Sequence, residues 1–134
     1  SKRHVVGVKI HPSMHFYDVN GDGYFKVYDK VKQFGGFILS HTWDNNPKCS
    51  IEMCEDVIKY LPNVAFILGH SGGTSNGIQK AIKVVNKYEN AYMDTSGYAF
   101  ADTWIEEIAD KCDKTKILFG SDYPFEDLRG GVYI

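Results

Sequence analysis

The 134-residue sequence predicts an α/β fold of the (β/α)₈ TIM-barrel type, present only in part. Three observations carry this. Short apolar runs alternate with segments of helical periodicity, the pattern of βα units. The runs are nearly continuous in apolar residues, as expected of parallel strands covered on both faces. Their C-terminal ends deliver polar residues at a regular interval: His11, His41, His70, Asp94 and Asp122 lie 30, 29, 24 and 28 positions apart. A (β/α)₈ barrel spreads about 250 residues over eight units, roughly 31 per unit, so this chain holds between four and five. A doubly wound open sheet uses similar units. No glycine-rich phosphate fingerprint follows the first strand, and the Gly69–Gly73 turn contains His70.

In chain order, Val5–Ile10 reads as the first strand and residues 24–34 as the first helix. Phe37–Ser40 follows as a strand, then Ser50–Leu61 as a helix whose Ile51, Cys54, Val57, Ile58 and Leu61 recur at helical spacing behind a capping Ser50. Val64–Leu68 is the third strand. Ile78, Ala81, Ile82 and Val85 give the next helix, Ser75–Tyr88, its apolar stripe. Ala91–Thr95 is the fourth strand. Ile105, Ile108 and Ala109 mark a shorter helix, Thr103–Lys111, and Lys116–Gly120 is the last strand, stopped by Pro124. Only 12 residues follow Asp122, too few for a closing loop and helix. Residues 1–134 are therefore expected to form one barrel portion: a fragment, or a domain completed by another chain.

Composition narrows the function classes. The chain is 43% hydrophobic and 24% charged with net charge −2, ordinary for a globular domain. This balance offers no electrostatic reason to bind nucleic acid or a membrane surface. No run approaches the roughly 20 apolar residues of a membrane span. No signal peptide is visible ahead of the first strand. Cys49, Cys54 and Cys112 lack a CxxC spacing and read as reduced packing residues, which favours a cytoplasmic protein.

The strand-end residues carry the chemistry. In α/β barrels, catalytic groups sit at the C-terminal ends of strands. Two imidazoles, His41 and His70, and the Asp122 carboxylate at successive ends suit a divalent transition metal. His41 alone would read as a histidine hydrogen-bonded in a loop, and Asp122 alone fits a helix cap. Recurrence at the βα period favours function. His70, opening Ser71-Gly72-Gly73, is a candidate electrophile, acid or base beside an activated water. Lys9 and His11 share one face of the first strand, and a lysine there suits a substrate carboxylate. Trp43, Ser96 and the aromatics Phe16, Tyr17, Tyr98, Phe100 and Tyr123 lie where they could touch substrate. Pro12 argues against a helix joining His11 to His15, which reads as surface loop. Asp18, Asn20, Asp22, Gly23 and Asp29 match a calcium loop, although no helix is expected before it. The alternative is a polar loop in which Asp22 caps the helix.

Together these strings resemble the amidohydrolase-related family of metal-dependent barrels, in its aminocarboxymuconate-semialdehyde decarboxylase-like branch. The strings are Gly7-Val-Lys-Ile-His-Pro12, Ile38-Leu-Ser-His41-Thr-Trp43-Asp44, Leu61-Pro-Asn-Val64 with Gly69-His70-Ser-Gly-Gly73, Tyr92-Met-Asp-Thr-Ser-Gly97 and Leu118-Phe-Gly-Ser-Asp-Tyr-Pro-Phe125. They stand in family order across nearly the whole chain. The resemblance implies that the chain covers barrel strands 4 to 8. It implies one divalent metal, zinc or else manganese, with His41 and Asp122 as ligands and His70 and Asp122 as catalytic residues. Lys9, His11, Trp43 and Ser96 are then the candidate contacts to a small carboxylate, amide or ester substrate. The family's first-strand His-x-His pair has no counterpart in this sequence. Hydrolysis and decarboxylation both remain open, as does a non-catalytic truncated domain that binds calcium or self-associates.

Overall fold

The computed structural model describes residues 5–97 and 104–126. Five strands form a single parallel sheet: β1 (Gly7–Ile10), β2 (Phe37–His41), β3 (Ala65–Gly69), β4 (Ala91–Asp94) and β5 (Ile117–Leu118). The helices are α1 (Pro12–His15), α2 (Asp22–Phe34), α3 (Ile51–Tyr60), α4 (Ser75–Lys87) and α5 (Trp104–Lys111), with 3₁₀ turns at His70–Gly72 and Lys114–Lys116. Strand order is sequential, β1-β2-β3-β4-β5, with every neighbouring pair parallel. A doubly wound sheet must reverse direction at a switch point. This sheet has no reversal, so the architecture is part of a (β/α)₈ barrel.

Register separates the two faces of the sheet. Val8 pairs with Ile38 and Ile38 with Phe66, while Ile10 pairs with Ser40 and Ser40 with Leu68. These rows point outward into the helix layer. There Ile10, Ile38, Phe66, Leu68, Ala91 and Met93 meet Tyr28, Val31, Val57, Ile58, Ile78, Ala81, Val85 and Ile108 in one core. A side chain such as Phe66, with no exposed surface, contributes about 1.5–3 kcal/mol by leaving water. The alternate rows, Phe37 with Ala65 and Lys9, Leu39 and Ile67 with Tyr92, face the barrel interior. Most of these residues are partly exposed. Among the described residues, therefore, helices cover one face only, a correction to the expectation of strands buried on both.

Pro12 does not prevent a helix: it occupies the first turn of α1, where its missing N–H costs nothing, and His11 is the N-cap. His15 consequently lies on α1, but its ring is bonded to the Tyr24 hydroxyl. Ser50 caps α3 as expected, accepting from Met53 N. Asp22 caps nothing; Gly21 is the N-cap and α2 already begins at Asp22. The fifth to twelfth positions of the calcium-loop motif are wound into α2. Asp18 pairs with Lys48 at 2.7 Å, Asn20 donates to Asp56, and Asp29 accepts from the Tyr60 hydroxyl. All three cysteines are free and buried, and burial pushes the Cys49 thiol up to about 11. No helix among the described residues is long and apolar enough to cross a membrane.

Candidate functional site

The strand C-termini open onto a cleft of about 470 Å³ lined by Lys9, His11, Met14, His41, Trp43, His70, Gly97, Asp122, Phe125 and Glu126. Six of the seven side chains singled out as candidate ligands, catalytic groups or substrate contacts share this cavity: Lys9, His11, His41, Trp43, His70 and Asp122. The His11 and His41 rings stack with centroids 3.9 Å apart. His70 meets His41 edge-on at 4.7 Å, and the Trp43 indole lies nearly parallel to His41 at 6.1 Å.

Local structure explains these positions. Parallel pairing of His41 with Gly69 puts the β2 and β3 ends level. Beyond β3 the backbone runs through left-handed φ at His70, Ser71, Gly72 and Gly73, a tight turn that swings the His70 ring over the sheet end. At Gly73, a Cβ would meet the Trp43 ring at 2.2 Å, so only glycine lets the indole lie there. The Thr42 hydroxyl ties the turn down, donating to Gly69 O and accepting from Gly72 N. Asp44 holds the β2 loop against α4 through Lys80 and Asn76. Just past β1, the His11 ring is fixed because its Nδ1 accepts from Met14 N at 3.3 Å.

Electrostatics favour uncharged imidazoles. Desolvation, then His11, His70 and Lys9, pushes His41 down to about 3. Desolvation, followed by Lys9, also lowers His11. Desolvation against the sheet lowers the Lys9 ammonium, opposed by Asp94 and Asp122, although much of the side chain is open to solvent. Desolvation and the neighbouring Asp122 raise the Glu126 carboxyl.

Ser96 does not line the cleft: it is buried behind His70, with its hydroxyl shared between His70 Nδ1 at 3.0 Å and Asp94 Oδ1 at 2.8 Å. Phe16 and Tyr17 line a separate open cavity beside Asp18 and Lys48, and Tyr98 and Phe100 lie outside the described residues. Met14, Phe125 and Glu126 form the cleft rim instead. Phe125 follows Asp122 in a turn closed by Phe125 N donating to Asp122 O, a signal readable from the Asp-x-Pro spacing. Asp94 was visible at a strand end, but a capped turn explained it equally well.

A neutral imidazole and a carboxylate are suitable donors for a divalent transition metal. Among the described residues, however, no group of three or more His, Cys, Asp or Glu side chains converges to hold one. Catalytic zinc usually takes three protein ligands. His41 and Asp122 therefore match the donor chemistry and do not amount to a complete site.

A model of the family described as Amidohydrolase matches residues 1–133. The chain belongs to the amidohydrolase family. Among solved structures, this amidohydrolase chain is similar to a TIM-barrel protein of Bordetella bronchiseptica, at 18% identity and TM-score 0.78, covering 95% of this chain and 48% of that one. It is similar to 2,6-dihydroxybenzoate decarboxylase from Rhizobium, at 15% identity and TM-score 0.58, over 87% of this chain and 49% of that one. It is also similar to dihydroorotase from Campylobacter jejuni, at 17% identity and TM-score 0.59, over 88% and 44%. The chain spans about half the length of these structures. No curated protein matches it.

Proposed function

We propose that this chain supplies the catalytic end of an amidohydrolase-type enzyme acting on a small carboxylate, amide or ester, by hydrolysis or decarboxylation. The observation that carries the reading is the convergence of His41, His70 and Asp122, from three strand ends, on one cleft with Lys9 and His11. His41 and Asp122 would hold a divalent metal, zinc or manganese, and a complete site would need further donors beyond these two. Such a metal, when bound, lowers the pKa of water and polarises carbonyl oxygens.

The chain's own residues divide the remaining work. Lys9, on the inner face of β1, offers an ammonium to a substrate carboxylate. Trp43, Met14 and Phe125 give that substrate apolar walls. His70 exchanges a proton with the reacting group, and Asp122 is placed to accept a proton from an attacking water. Desolvation keeps the His11 and His41 imidazoles neutral, so they add no charge beside the Lys9 ammonium. The test is to replace His70 by Ala in the complete protein and His41 by Ala in a second variant. Turnover is expected to fall at least 100-fold in the first, the scale of a lost general acid or base. Bound metal is expected to fall in the second. Unchanged turnover with His70→Ala would remove the assignment.

A further inference from the structure

A buried side-chain chain behind the cleft decides which nitrogen of His70 carries its proton. Asp94 Oδ1 is a meeting point for donors: His70 N at 2.8 Å, the Ser96 hydroxyl at 2.8 Å and Ser96 N at 3.2 Å. Ser96 Oγ also stands 3.0 Å from His70 Nδ1. His70, Ser96 and Asp94 are each less than a tenth exposed.

The serine hydroxyl has a single hydrogen and two acceptor lone pairs. A carboxylate oxygen that already receives two backbone N–H groups acts only as an acceptor. If the serine hydrogen pointed at His70, a serine lone pair would face the Asp94 carboxylate across 2.8 Å in a buried site, with no hydrogen between them. The favourable arrangement sends the serine hydrogen to Asp94, a charge-assisted bond. Ser96 Oγ is then an acceptor toward His70, whose Nδ1 must carry hydrogen. The partner of one ring nitrogen thereby fixes the state of the other.

We propose that Asp94 and Ser96 are positioning residues that hold His70 as its Nδ1–H tautomer, leaving the Nε2 lone pair for the cleft. The proposal rests on the reading of His70 as a proton-exchanging residue. It narrows that reading: a neutral His70 takes a proton at Nε2 and does not begin as a donor there. Neighbouring backbone keeps the ring in this contact. Gly97 has φ +85°, and a Cβ on it would lie 2.8 Å from His70 Nδ1. The Ser71 hydroxyl donates to Asp94 O, pinning the two strand ends together.

The test is nitrogen NMR of the complete protein labelled at its histidine rings, near pH 8, well above the ordinary histidine range. The His70 signal is assigned by its loss in His70→Gln. Wild type is expected to show a protonated Nδ1 and an unprotonated Nε2. Ser96→Ala is expected to move the ring toward the opposite tautomer or a mixture, and Ser96→Thr, which keeps the hydroxyl, to restore it. With the same variants kcat is expected to fall on the order of 10-fold in Ser96→Ala with KM little changed. An Nε2–H ring in wild type overturns the proposal, and that spectrum decides even if a variant does not fold. Ring signals unmoved by Ser96→Ala overturn it as well. If the tautomer is as proposed and His70→Gln retains full turnover, the catalytic role fails and the positioning stands.

Discussion

His41 concentrates the physical chemistry of the site in one ring. It sits between the His11 ring at 3.9 Å and the His70 ring at 4.7 Å, and protonating it would place a charge among desolvated neighbours. Its folded-state pKa, about 3, lies below the ordinary value of 6.5, and His11 is shifted in the same direction. The unfolded chain therefore binds more protons than the folded one below about pH 6.5, and stability must fall as pH falls through that window. Denaturant midpoints of metal-free protein are expected to decline from about pH 7 to pH 5 and to be flat above it. His41→Gln is expected to reduce the decline; an identical pH slope in that variant would count against the desolvated ring. The strand-end position of His41 was legible because an apolar run points directly at it. The Ser96 orientation was not, since a serine two residues past a strand faces the cavity or the protein depending on a turn that only the Asp94 bonds determine.

The elements followed the sequence closely wherever periodicity and caps agreed. α4 is the clearest example: Thr74 accepts from Gly77 N at 3.0 Å, and Ile78, Ala81, Ile82 and Val85 are buried beneath it. Thr74→Ala removes that acceptor and leaves a first-turn N–H without its partner, at a cost of about 1 kcal/mol. The expected readout is a lower urea midpoint with an unchanged denaturant slope; a midpoint within error of wild type would show that water substitutes fully. The last strand shows where periodicity misleads. Residues 116–120 look like five strand residues, yet only Ile117 and Leu118 pair with β4. Lys116 is buried and donates from Nζ to Val85 O and Tyr88 O, closing the exposed carbonyls at the end of α4. A lysine used as a cap for another helix has no local signature. The same is true of α1, where proline marks a start and reads as a break.

For the molecule as a whole, the inner face of the sheet is the dominant fact. Phe37 is 36% exposed there and Leu118 37%, with Leu39, Ile67 and Tyr92 partly exposed between them. Among the described residues β1 and β5 each pair on one side only. An open edge beside an apolar face is a template for association. The 134-residue chain on its own is expected to sediment as an oligomer or aggregate, and Phe37→Glu to shift it toward monomer. A monodisperse monomer at micromolar concentration would show that the inner face tolerates water. The barrel class was readable from the recurrence of βα units, and the sequential order confirmed it over the doubly wound alternative. Exposure of the inner rows was readable only from the count of units, which leaves a five-strand interior open; the strand sequences themselves do not show it, because an apolar strand looks alike whether its second face meets helices or the far wall of a barrel.

Sequential pairing also shapes how such a sheet can assemble. Each strand finds its partner one unit along the chain, as Ile38 does with Phe66 and Phe66 with Ala91. Closing each pair therefore requires a loop of only about one βα unit, and the entropy of closure grows slowly at that length. Parallel sheets are slow to form when their partners are remote. Here none is remote, so the five strands can zip in order from any adjacent pair, each new strand docking on an edge the previous one has just made.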